Sequence, residues 1–264
     1  MNGQQLVEAL HSGQHVYGTM IISPAPEWPA AVSQSGVDFV FIDTEHTALD
    51  RAQVSWMCRA YSALNIAPVV RIPSPDPFEA CKVLDGGAGG VIAPYIETPE
   101  QVRALVGAVK YRPLKGKRLT DFLAGTADLE PELKDYLDQR NASSALVVNI
   151  ESVPAMNALD DILAVPGLDA VLIGPHDLSC SLGLPEQYDH PPFKQAVTDI
   201  LTRARAAGIG AGMHVTYEYG YPHEIAWAKA GANLLVHSGD VMVLRYQMRR
   251  EIEAIRAAVE AGAA

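Results

Sequence analysis

Cysteine is scarce in this chain. Cys58, Cys81 and Cys180 are the three in 264 residues, an odd number with no metal-type spacing. That usage excludes a disulfide framework and a zinc module, and reduced thiols in a cytoplasmic protein are the plain expectation. Basic residues are also few. Lys and Arg number 20 against 31 Asp and Glu, a formal charge of −11 with a pI near 5.1, which argues against a nucleic-acid or anionic-membrane surface. An anionic small substrate remains compatible with that balance, because local arginine and metal can dominate inside a pocket. No run reaches the roughly 18 apolar residues that a bilayer span requires. The opening MNGQQLVEALHSGQHVYG lacks the basic start and apolar centre of a signal peptide. Missing too are a Gly-x-Ser-x-Gly elbow, a Walker loop, a kinase signature and zinc-protease spacing.

What is present is a rhythm. Short β-branched apolar runs alternate with helical stretches, and each run ends abruptly at a polar residue. Strands are expected at Val16–Ile22, Asp38–Asp43, Ala67–Ile72, Gly89–Pro94, Ala145–Ile150, Asp169–Gly174, Gly210–Val215 and Asn233–His237. Apolar on both faces, such runs belong in a parallel sheet covered by helices. Eight of them are the complement of a single (β/α)8 TIM barrel spanning residues 1–264. A doubly wound sheet has a similar rhythm, but Ser23-Pro24-Ala25-Pro26 stands where a Gly-rich dinucleotide turn would follow the first strand. The regularity breaks once, over residues 111–144, a polar excursion expected to carry its own helix near Pro131–Gln139. A final helix is expected from Val243 toward Glu260.

Barrel chemistry gathers at the C-terminal ends of strands. Those ends supply Ser23, then Asp43, Glu45 and His46, then Arg71, Tyr95 and Glu97, Glu151, Asp177, His214, and finally Ser238 and Asp240. A solvated rim is the bland reading of most of them. Glu151 and Asp177 end successive strands, so they are either rim and cap residues or a pair of hard oxygen ligands suited to Mg²⁺ or Mn²⁺. Arg71 closes an apolar run and should reach into the barrel mouth, as an ion-pair partner of Asp43 or Glu45 or as an anion clamp and enolate stabiliser. His46 is the candidate general base, or else a hydrogen-bonded rim histidine. No lysine stands at a strand end, which disfavours Schiff-base chemistry.

Phe41-Ile42-Asp43-Thr44-Glu45-His46 with Asp50, Val69-Val70-Arg71-Ile72-Pro73, the run VLDGGAGGVIAP, Val148-Asn149-Ile150-Glu151 and Ile173-Gly174-Pro175-His176-Asp177-Leu178-Ser179 follow one another in a known order. From about Gly18 to Leu244 the chain resembles the HpcH/HpaI family of metal-dependent pyruvate aldolases, which includes 4-hydroxy-2-oxoheptanedioate aldolase of aromatic-compound catabolism. The resemblance implies a TIM barrel and a divalent ion of the Mg²⁺, Mn²⁺ or Co²⁺ type. It also implies cleavage of 4-hydroxy-2-oxo acids to pyruvate and an aldehyde. Carried over by position, Glu151 and Asp177 hold the metal. Backbone N–H groups near Gly174, His176 and Asp177 hold the substrate carboxylate, Arg71 meets the enolate oxygen, and His46 is the base with Asp85 as its acidic partner. A homo-oligomer, trimer or hexamer, is implied as well, with the C-terminal helix exchanged onto a neighbouring subunit. Three neighbouring enzyme types or functions are the alternatives: oxaloacetate decarboxylase, a citramalyl- or malyl-CoA-type lyase, and a non-catalytic 2-oxo-acid-binding barrel. Asn149, Thr47 and His176 depart from the family pattern, as does the segment Lys117–Gly125, mostly on the aldehyde side.

Overall fold

A computed structural model describes residues 1–218 and 220–261. The elements in chain order are α1 (Gly3–Ser12), β1 (Val16–Ile21), α2 (Trp28–Val32), β2 (Phe39–Asp43), α3 (Arg51–Ala63), β3 (Ala67–Arg71), α4 (Pro77–Gly86) and β4 (Gly90–Ala93). They continue as α5 (Pro99–Lys110), α6 (Gly116–Leu123), α7 (Pro131–Asn141), β5 (Ala145–Ile150), α8 (Val153–Asn157), α9 (Leu159–Leu163) and β6 (Ala170–Ile173). The last part holds α10 (Pro175–Ser181), α11 (Pro191–Ala206), β7 (Gly210–Val215), α12 (Tyr221–Lys229), β8 (Leu234–Gly239) and α13 (Asp240–Ala261). The strands pair in sequence order, all parallel, and β8 closes onto β1. The fold is the expected (β/α)8 barrel.

Side-chain alternation divides the apolar residues into two populations. Met20, Phe39, Phe41, Val69, Ile92, Val147, Leu172 and Val236 turn inward and fill the barrel. Their alternates, such as Val70, Val91, Val148 and Val171, pack under the surrounding helices. Both faces of β5 are therefore buried, which is why its sequence runs apolar from Ala145 to Val148, up to Asn149. Room for two inward phenylalanines is made partly by Gly18. A Cβ there would sit 2.3 Å from the Phe39 ring.

The floor is sealed by α1. Leu6, Ala9 and Leu10 join the barrel interior from below. Asn2 caps the helix by accepting from the Gln5 N–H, and the Gln5 side chain returns the bond to the Asn2 N–H. At the same end, buried Asp169 accepts from His11 at 3.0 Å, Lys110 at 2.6 Å and the Leu146 N–H at 2.7 Å.

The excursion between β4 and β5 contains α7 as expected and also α6, which buries no residue. The final helix begins earlier than expected, because β8 passes into it without a loop. Beyond Asp240 every described residue of α13 is exposed or only partly buried. No helix among the described residues is long and apolar enough to cross a membrane.

Candidate active site

The site is set by which side chains the pleat turns inward at the tops of β2 to β6. Parallel register places Asp43 beside Arg71. The Arg71 guanidinium donates to both Asp43 oxygens, from Nε at 2.9 Å and from Nη2 at 2.8 Å, a fork geometry that a lysine could not supply. Arg71 Nε also lies 3.1 Å from Glu45 Oε2. That contact is one of charge without hydrogen-bond alignment, since Glu45 Oε2 is buried with no hydrogen-bond partner. Among the described residues no hydrogen bond engages Arg71 Nη1. The ring of Phe41 lies beneath, 4.9 Å from the guanidinium carbon. Burial works to raise the Asp43 carboxyl, but the hydrogen bonds and charge of Arg71 outweigh it and hold Asp43 below the usual carboxylate range. For Arg71 the same pairing outweighs burial and raises an already high value.

Two further strands present the second carboxylate pair. Glu151, just past β5, is buried. Its Oε1 accepts from the Tyr95 N–H at 2.8 Å, and its Oε2 accepts from Asn149 Nδ2 at 3.0 Å. Tyr95 holds that amide in place by adopting a left-handed backbone, φ 57°, a conformation that strains a residue with a side chain. The neighbouring Glu45 carboxylate, with burial second, pushes the Tyr95 phenol up to about 12. The Glu151 carboxyl is itself raised, chiefly by burial, with the like charges of Asp177 and Glu45 adding to it. Asn149 Oδ1 is buried without a partner among the described residues.

Strand β6 ends at Ile173, and Gly174 leads into α10 with Asp177 in its first turn. A Cβ built on Gly174 would lie 2.7 Å from Glu151 Oε2 and 3.6 Å from Asp177 Oδ2. The two carboxylates thus face one place, and a glycine keeps it open. Two acidic oxygens at one spot, with an orphaned amide oxygen close by, make a donor set for a hard divalent ion that keeps most of its shell as water and ligand. No group of three His, Cys, Asp or Glu forms a metal-type cluster among the described residues, so the chain offers two carboxylates and no closed cage. His176 points outward, 61% exposed, with Nδ1 3.7 Å from Glu186 Oε1. Its side chain takes no part in the convergence, and its backbone remains as part of the first helical turn.

His46 is 64% exposed, and Nε2 stands 3.5 Å from Glu45 Oε1. The carboxylate nearest it is therefore Glu45. Within one chain Asp85 is not beside His46. It occupies the last turn of α4, and a helix after a barrel strand runs back toward the opposite rim, so Asp85 sits at the far end and pairs with Arg112 at 2.9 Å. His214 closes the other side of the interior. Buried, its ring lies tilted against Phe41 at 4.9 Å, its Nε2 is 3.2 Å from the Ser238 carbonyl, and burial drives its pKa down to about 4.

The chain's sequence matches the profile of the HpcH/HpaI aldolase/citrate lyase family over residues 21–232. It is 33% identical to 2-keto-3-deoxy-L-rhamnonate aldolase of Salmonella gallinarum, across 89% of this chain and 87% of that protein. The chain belongs to the HpcH/HpaI aldolase/citrate lyase family. It is accordingly an enzyme, a carbon–carbon lyase of the aldolase type. A hydroxypyruvate/pyruvate aldolase of Roseovarius nubinhibens is 31% identical across 92% of this chain and 93% of the other. The crystal structure of an HpcH/HpaI aldolase from Desulfitobacterium hafniense overlays with a TM-score of 0.81 at 28% identity, covering 95% of this chain and 96% of that one.

Of the residues that the family resemblance named, the fold brings together Arg71, Glu151, Gly174 and Asp177, sets His46 at the edge, and leaves Asp85 apart. Sequence reasoning counted Asp43, Glu45 and Tyr95 among rim residues, offered Asp43 or Glu45 only as an ion-pair partner of Arg71, and gave Tyr95 no role. For Asp43 the signal was available. It shares the inward parity of Phe39 and Phe41, which puts a carboxylate directly beside Arg71. For Tyr95 there was none, since nothing in Ala93-Pro94-Tyr95 announces a left-handed backbone.

Proposed function

We propose that this enzyme is a divalent-metal-dependent aldolase that reversibly cleaves 4-hydroxy-2-oxo acids to pyruvate and an aldehyde. The observation that carries the reading is the convergence of Glu151 and Asp177 on the open space beside Gly174, with Arg71 in the same mouth. Glu151 and Asp177 would hold the ion, Mg²⁺ or Mn²⁺ (Co²⁺ is of the same type). When bound, that ion supplies positive charge to the carboxylate and ketone oxygens of the 2-oxo acid.

The remaining steps belong to the chain's own residues. First-turn N–H groups of α10, at His176 and Asp177, would take the substrate carboxylate, since helix N-terminal amides have no intrahelical partner. Arg71 would neutralise charge that develops on the ketone oxygen as the C3–C4 bond breaks, and Asp43 and Glu45 hold its guanidinium in place for that purpose. His46 would accept the 4-hydroxyl proton, directly or through a water, as the C4 oxygen becomes the aldehyde carbonyl. Return of a proton to C3 then yields pyruvate, and addition runs the same steps backward. With Asp85 apart from His46 in one chain, Glu45 is the carboxylate in place to orient the base. A CoA-type lyase would want a basic nucleotide site, which this rim does not offer.

The same reading gives α13 a purpose. Val241, Leu244, Met248, Ile252, Ile255 and Val259 are exposed at helical spacing, an apolar stripe with nothing on it. A groove of about 890 Å³ between α2, α12 and the start of α13 is lined by Trp28, Val32, Val37, Ile225 and Leu235. It lies where the eighth barrel helix would pack. We infer a homo-oligomer, trimer or hexamer, in which α13 of one copy fills the groove of another, in the cytoplasm.

Purified enzyme with Mg²⁺ or Mn²⁺ is expected to release pyruvate from a 4-hydroxy-2-oxo acid, to exchange the methyl protons of pyruvate for deuterium, and to stop on chelation. Calorimetrically demonstrated metal binding with neither pyruvate release nor exchange would refute the assignment.

A further inference from the structure

The barrel mouth is poor in cations. Between each strand end and the helix that follows it the chain places no Lys or Arg; Arg71 ends β3 and Arg51 opens α3. Arg51 lines an outer groove with Glu79, Lys82 and Asp85, away from the interior. Arg71 is already engaged by Asp43 and Glu45. The rim histidines each face a carboxylate, His46 at Glu45, His176 at Glu186 and His237 at Glu224. Asp43, Glu45, Glu97, Glu151 and Asp177 crowd the same end. Among the described residues the other arginines at this end stand on α13, where Arg249 pairs with Glu218 and Arg245 lies over the Tyr246 ring. A second carboxylate on the aldehyde half of a substrate would enter a field to which β1 to β6 add no cation but Arg71, and an uncompensated buried charge is costly.

Tyr95 is the aromatic among the neutral polar side chains at that end, which also include Ser23, Asn149 and Ser238. Its N–H is fixed on Glu151 at 2.8 Å and Glu45 acts on its hydroxyl, so the residue lies between the two carboxylate pairs. Gln101 Nε2 donates to its carbonyl at 3.3 Å and holds the strained turn from behind. Tyr95 itself stays half exposed, 52%. A phenol so placed has a ring face for a carbon chain and an oxygen that can exchange hydrogen bonds with a substrate hydroxyl.

We propose, resting on the aldolase reading above, that Tyr95 is a specificity-determining residue for the second substrate, and that this substrate is an uncharged, hydroxylated aldehyde. In the addition direction the new bond joins pyruvate C3 to the aldehyde carbon. The proton lost from C3 is balanced by one gained on the aldehyde oxygen, and Tyr95 meets a hydroxyl further along the chain.

The test pairs pyruvate with glycolaldehyde, propionaldehyde and succinic semialdehyde, using the metal-loaded wild type and Tyr95→Phe. Deuterium exchange of pyruvate is followed separately. Wild type is expected to use glycolaldehyde with kcat/KM at least about tenfold above succinic semialdehyde. Tyr95→Phe should lose about tenfold on glycolaldehyde, the worth of one hydrogen bond, mostly in KM. Any loss on propionaldehyde or on pyruvate exchange should be smaller than the loss on glycolaldehyde. A wild-type preference for succinic semialdehyde would overturn the proposal and point to a cation from a neighbouring copy. An equal loss on all aldehydes and on exchange in Tyr95→Phe would also overturn it, by making Tyr95 structural. Absence of pyruvate exchange in the wild type would instead remove the aldolase reading on which it stands.

Discussion

At the scale of single residues, the site depends on a few contacts that admit no close substitute. Arg71 grips Asp43 with two parallel donors, and Arg71→Lys keeps the charge while losing the fork. Transition-state donors of this kind are worth about 3–4 kcal/mol, so kcat should fall by about 100-fold or more with the fold intact by circular dichroism. Gly174→Ala would put a methyl against the Glu151 oxygen while φ remains ordinary at −84°. Titration calorimetry should then show metal affinity reduced by about tenfold or more, on the scale of the 10–100-fold cost of disturbing groups around a metal site. Unchanged affinity would mean that the two carboxylates do not share an ion.

His214 makes a prediction about pH. Its folded pKa lies near 4 against an ordinary value of 6.5. The native state therefore refuses a proton that the unfolded chain accepts between those values. Stability is unaffected above about 6.5, falls as pH drops below it, and stops falling near 4, a loss on the order of 3 kcal/mol from this group. Urea unfolding of His214→Leu should show a correspondingly shallower decline between pH 7 and 4.5 than the wild type.

At the scale of elements, β5 and β7 end where the sequence pattern ends, because a strand buried on both faces leaves a mostly apolar run, interrupted only by Asn149 in β5 and His214 in β7. The elements that the sequence hid are those without such a pattern. Helix α6 buries nothing, and α10 is a seven-residue turn that starts on the residue after Gly174. That Asp85 stands apart from His46 within one chain was hidden for a related reason, since motif order says nothing about which end of the barrel a helix residue reaches. Helix α1 was visible as a pattern, but its role as the barrel floor was not. Leu10, fully buried there, should cost about 2–5 kcal/mol when cut to alanine, measured by thermal or urea unfolding, although it is remote from every catalytic group.

At the scale of the whole molecule, the apolar stripe on α13 and the groove beside it are more exposed hydrophobic surface than a lone barrel keeps. Replacing Leu244, Met248 and Ile252 by aspartate should shift sedimentation to the monomer while circular dichroism stays that of the barrel. An unchanged sedimentation coefficient would reassign the stripe.

The closure of the ring has a consequence for synthesis. Strand β1 pairs with β2 on one side and with β8 on the other. The Ile22 and Ser23 N–H groups beyond it are held by Asp240, more than two hundred positions away. On the ribosome, then, one edge of β1 waits unpaired until nearly the whole chain has emerged, and an unpaired edge is what invites strands from other molecules. The residues that finish the barrel are also the root of the helix that leaves it, so the edge is covered at the moment the apolar stripe of that helix is delivered.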